Sequence, residues 1–120
     1  MSLDAYRRTA AQAASPRATE HRLLSEITHE LALARDAGLA GAALMPSLHR
    51  NREAWGVLAT SCAHGGNGLP APLRAGIVSL ALWVDRHTSA VARGRESVDD
   101  LIEINREIIA GLEPRLAEAA

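Results

Sequence analysis

Apolar residues return every three or four positions along most of this sequence and nowhere alternate in twos. That spacing lays one apolar stripe along a helix, whereas a half-buried strand repeats every second residue. Gly and Pro stand between the periodic stretches and stop them. Five helices are expected, over about residues 3–14, 16–37, 40–63, 70–93 and 98–112, with a loop at 64–70 and a frayed tail at 113–120. The fold class that follows is all-α: a compact single-domain bundle of about five helices.

The stripes differ in strength. The first is thin, with Leu3, Tyr6, Ala10 and Ala13, and it breaks at Ser15-Pro16, a good cap followed by a good first helical residue. The second carries Leu23, Leu24, Ile27, Leu31 and Ala34 and stops at Gly38. The third carries Leu44, Leu48, Asn51, Trp55, Leu58, Ala59 and Cys62. Pro46, near its beginning, either marks the true start or kinks the opening turns. The fourth presents Leu73, Ile77, Leu80, Ala81, Val84 and Val91 on one face and Ala75, Val78 and Leu82 on another. A helix apolar nearly all round is expected at the centre of the bundle. The fifth opens at Ser97, with Asp99 and Asp100 in its first turn where the helix dipole favours carboxylates. Its stripe is Leu101, Ile104, Asn105, Ile108 and Leu112, and Gly111 and Pro114 are expected to close it.

Composition excludes several function classes. A chain of 120 residues with 48% hydrophobic content is long enough for one core and too apolar for wholesale disorder. One cysteine cannot form an internal disulfide. The longest near-apolar run, Ala75 to Val84, is half of what a bilayer crossing needs, and no leader pattern opens the sequence. The expected location is the cytoplasm, without membrane insertion. Thirteen basic residues, all Arg, face fourteen acidic ones, which argues against a surface built to hold phosphates. Tyr6, Trp55 and Trp83 are too few to stack single-stranded bases. Direct RNA binding, through Arg50, Arg52, Arg86 and Arg93, is the weaker expectation.

Candidate chemistry is sparse. Cys62, His64, Asp85 and His87 contain the residue types of a nucleophilic site, but Cys62 lies on an apolar stripe and His64 in a glycine-rich loop. His21 and His29 stand about 12 Å apart along a helix, too far to share a metal. The "HGGNGLP" loop lacks the lysine and the preceding strand of a phosphate-binding loop. No catalytic residue, cofactor or metal is expected. Asn51 and Asn105 interrupt apolar stripes, so each buried amide needs a partner. A mutual or backbone hydrogen bond, or a contact with Asp85 or Arg52, would supply it and fix register. Trp55 and Trp83 are core anchors or interface anchors.

Three stretches carry a resemblance: "NREAWGVLATSCA" (Asn51–Ala63), "LRAGIVSLALWVDRHTSAVARG" (Leu73–Gly94) and "LIEINREIIAGL" (Leu101–Leu112). Together with "AYRRTA" and "SPRATEHRLL" they resemble the FlaF family of flagellar biosynthesis regulators, in the same order over nearly the whole chain. The resemblance implies a non-enzymatic protein needed for flagellin production and flagellum assembly. It implies flagellin as a partner, bound as by an export chaperone, and work alongside FlbT, which restrains flagellin translation. The residues expected at a partner surface are Leu3, Tyr6, Ala10, Arg52, Trp55, Trp83 and Arg86, with Asn51, Asp85 and Asn105 as structural polar groups.

Overall fold

A computed structural model describes residues 2–3, 16–64 and 68–119. Among these residues the chain forms four α-helices: α1 (Pro16–Asp36), α2 (Met45–Ala63), α3 (Ala71–Ala92) and α4 (Asp99–Ala119). A 3-10 turn, Gly41–Leu44, leads into α2. The helix expected over 3–14, with Tyr6 and Ala10, lies outside the described residues except for Leu3.

The helix ends follow local chemistry. Gly38 and Gly94 have φ of 71° and 73°, the left-handed conformation a glycine adopts without a Cβ penalty. Each closes its helix with a six-to-one bond, Leu39 N–H to the Ala34 carbonyl and Arg95 N–H to the Ala90 carbonyl, at 3.0 and 2.9 Å. Pro46 sits in the first turn of α2 and so marks its start. The expected helix from about residue 40 is therefore shorter, with the 3-10 turn taking its first residues. The Ser97 hydroxyl accepts the Asp99 amide at 3.0 Å and caps α4. At the other end of α4 the expectation differs from the structure. The helix does not stop at 112 but runs through Gly111 and Pro114 to Ala119. A proline removes one N–H and strains one turn, and the hydrogen-bond ladder resumes beyond it.

The core is centred on α2. Leu48, Ala54, Trp55, Leu58 and Cys62 of α2 meet Leu24, Ile27 and Leu31 of α1, Ile77, Val84 and Val91 of α3, and Leu101 and Ile102 of α4. Each fully buried Leu or Ile contributes roughly 1.5–3 kcal/mol relative to an exposed one. α1 packs against α2 and α4, whereas α3 packs on α2 and scarcely touches α4. The apolar helix expected at the centre is thus lateral. Hydrophobicity all round a helix demands cover, but it does not say that the same chain provides it.

Candidate partner-docking surface

The lateral placement of α3 divides it into two faces. Ile77, Val84, Thr88 and Val91 are buried against the bundle. Ala75, Gly76, Ser79, Leu82, Trp83 and Arg86 are all exposed. At 100° per residue these six positions fall within about a third of the helix circumference, so they form one continuous strip. Its first half is small and its second half carries Leu82 and Trp83, 58% and 37% exposed. The strip is apolar along most of its length, with a cation at its end, which makes it a candidate docking face.

The strip is held rigidly from beneath. Trp83 stacks on His87 with ring centroids 4.5 Å apart and 17° between planes. The imidazole Nε2 lies 3.1 Å from the Ser97 carbonyl and 3.3 Å from Asp100 Oδ2. On the other flank, Arg52 Nη2 of α2 donates to the Asp85 carbonyl at 3.0 Å and to Ser89 Oγ at 2.8 Å. Its Nε faces Asp85 Oδ1 at 3.1 Å without hydrogen-bond alignment. Arg52 and Asp85 therefore tie α3 to α2.

Of the sequence-predicted partner residues, Arg52 is taken up by its bonds to Asp85 and Ser89, and the others separate into three groups. Trp83 and Arg86 come together on the exposed strip, three residues apart. Leu3 is exposed, and Tyr6 and Ala10 lie outside the described residues. Trp55 is 1% exposed and is corrected to a core residue. Its stripe mates Leu48, Leu58 and Cys62 are all buried with it, so a partner could reach its indole only by opening the bundle. Leu82, the most exposed large residue of the strip, is not among the expected partner residues, although its spacing puts it on the second apolar face of this helix. It stands with Ala75, Ser79, Trp83 and Arg86 at helical spacing, opposite Ile77, Val84 and Val91.

Between α2 and α4 the two asparagines meet. Asn105 Nδ2 donates to Asn51 Oδ1 at 2.7 Å, and Trp55 Nε1 donates to Asn105 Oδ1 at 2.8 Å. Both amides are 0% exposed, and this chain of bonds fixes α2 against α4. Thr28 and Thr88, also buried, bond back to the Leu24 and Val84 carbonyls at 2.6 Å each.

The residue types weighed for catalysis are engaged separately. Cys62 is buried in the core, and the His64 Nδ1 lies 2.7 Å from the Thr60 carbonyl. Asp85 is held by Arg52, and His87 faces Ser97 and Asp100. Elsewhere, Arg35 of α1 reaches Asp99 of α4 at 3.1 Å. Hydrogen bonds to Asp99 and then to Asp36 raise its pKa further above the ordinary guanidinium range. A cleft between α1, α2 and Leu112, lined by Leu23, Ala54 and Val57, offers only about 20 Å³, far below the volume of an ordinary ligand pocket. No helix among the described residues is long and apolar enough to cross a membrane.

No curated protein and no solved structure matches the chain. The family model for the flagellar protein FlaF matches residues 2–112, which include α1, α2, α3 and α4 as far as Leu112. The all-α fold and this match over nearly the whole chain place the protein in the FlaF family of flagellar proteins.

Proposed function

We propose that this flagellar protein is a non-enzymatic cytoplasmic regulator that binds unassembled flagellin as an export chaperone and couples it to flagellin synthesis. The exposed strip of α3, Ala75 to Arg86, is the observation that carries this reading. Flagellin's terminal segments are amphipathic helices that find their packing partners only in the filament. An apolar helix face left open on a small bundle suits such a client, because one amphipathic helix can lay its i, i+3, i+4 anchors along another. Leu82 and Trp83 supply the apolar contact, and Arg86 supplies a charge at the rim. Leu3, Tyr6 and Ala10 of the N-terminal segment are further contacts to the client in this proposal.

The test is purified chain mixed with monomeric flagellin at tens of micromolar, followed by size-exclusion chromatography with light scattering. A defined complex supports the chaperone reading. Two folded proteins eluting separately would overturn it and favour an adaptor that docks FlbT, with binding of flagellin mRNA behind that.

A further inference from the structure

A second cluster lies at the corner where α3 passes into α4. His87 projects from the last turns of α3, Glu96 stands in the link after Gly94, and Asp100 belongs to the first turn of α4. One ligand atom from each, the imidazole Nε2 and two carboxylate oxygens, lies within 4.8 Å of the other two. We propose that His87, Glu96 and Asp100 form a binding site for one divalent transition-metal ion of the zinc type.

The chemistry of the donor set selects the ion. Two carboxylates and one imidazole offset a dication, and the imidazole favours zinc over magnesium or calcium, which take oxygen ligands. Zinc bonds of about 2.0–2.2 Å in a tetrahedron separate neighbouring ligand atoms by about 3.3–3.5 Å. The His87 Nε2 and Asp100 Oδ2 already stand 3.3 Å apart. Glu96 is exposed and makes no ion pair among the described residues, so a rotamer change brings its oxygen the remaining distance.

The scaffold around the donors is fixed. The imidazole side chain is only 9% exposed and stacks on Trp83, which leaves its Nε2 edge turned toward the two helix ends. The tight turn at Gly94 sets where Glu96 and Ser97 emerge. Without metal, Nε2 carries the proton and donates toward the Ser97 carbonyl at 3.1 Å. With metal, Nε2 gives its lone pair to the ion and the proton resides on Nδ1. An imidazolium would release one proton to solvent. The Ser97 carbonyl or a water takes the fourth position. The ion would cross-link two helices that otherwise scarcely touch, directly beneath the docking strip.

The experiment uses full-length, untagged protein stripped with EDTA and titrated with zinc chloride, read by calorimetry and by tryptophan fluorescence. One equivalent binds with a fluorescence change from Trp83, and the melting temperature rises with zinc concentration. Glu96→Gln alters an exposed carboxylate and Asp100→Asn a half-buried one, each isosteric, so both leave the fold unchanged. Each is expected to weaken binding by at least the roughly 10–100-fold seen when a metal's outer-shell partner is lost. His87→Gln, which keeps a donor toward Ser97, abolishes it. No binding at about 100 µM zinc overturns the proposal. So does binding that all three variants leave unchanged, because His21, His29, His49 or His64 would then hold the ion.

Discussion

Replacing Asn105 by Leu should be far more damaging than the same change at Asn51, although the two amides share one hydrogen bond. Asn105 sits in the middle of the chain of bonds. It accepts from Trp55 and donates to Asn51. Asn105→Leu therefore orphans the Trp55 indole N–H and the Asn51 carbonyl oxygen, both in the core. At about 1–3 kcal/mol for each orphaned group, the cost is roughly 2–6 kcal/mol. Asn51 is the terminal member, and its own Nδ2 already lacks a partner. Asn51→Leu strands one amide N–H, that of Asn105, but removes another. Its cost is about 1 kcal/mol, the net worth of one hydrogen bond. The shape change from Asn to Leu enters both variants alike. In the double variant only the Trp55 N–H is orphaned, so the pair of substitutions costs less than Asn105→Leu alone. Urea unfolding followed by circular dichroism measures this. A gap of about 3 kcal/mol moves the midpoint by about 1–3 M at ordinary m-values. Equal losses from the two single variants, or a double variant less stable than Asn105→Leu, would refute the reasoning.

Other perturbations give sharper or gentler outcomes. Leu82→Ser should change stability by less than about 0.5 kcal/mol, since the side chain is mostly exposed, yet lower flagellin affinity at least about tenfold in a binding titration. Gly38→Ala and Gly94→Ala should each cost roughly 1–2 kcal/mol in thermal or urea unfolding. A Cβ meets no atom within 4 Å at either site, so the loss comes from the left-handed backbone alone. Arg52→Ala should lose about 1 kcal/mol or less, a loss that 1 M salt shrinks, because the Arg52–Asp85 tie is partly exposed. Deleting residues 1–14 should leave the helical circular dichroism signal of α1 to α4 in place while weakening flagellin binding.

Punctuation was the most legible part of the sequence. Gly38, Gly94, Pro46 and Ser97 act where they stand because each works through its own backbone or through a neighbour two to five residues away. The pairing of Asn51 with Asn105 was legible as one of two alternatives, since a buried amide inside an apolar stripe must find a partner. Long-range arrangement was less so. Apolar residues on two faces of the 71–92 helix fit a central position and a lateral one equally well, and only packing against α2 decides between them. The two tryptophans illustrate the same point. Trp55 shares the stripe of Leu48 and Leu58 and is buried, whereas Trp83 stands off the Ile77–Val84–Val91 seam and is exposed. Pro114 misled because a single proline strains a helix without being obliged to end it.

The most direct test of the central claim is hydrogen exchange on the chain alone and in the presence of monomeric flagellin. Exposed side chains leave the α3 amides hydrogen-bonded in both states, so the readout is slowed local opening rather than new bonds. Added protection is expected across Ala75–Arg86 of this chain and across one terminal helix of flagellin, with α1 unchanged. Protection confined to α1 or α4, or none on either protein at concentrations where both are folded, would contradict it.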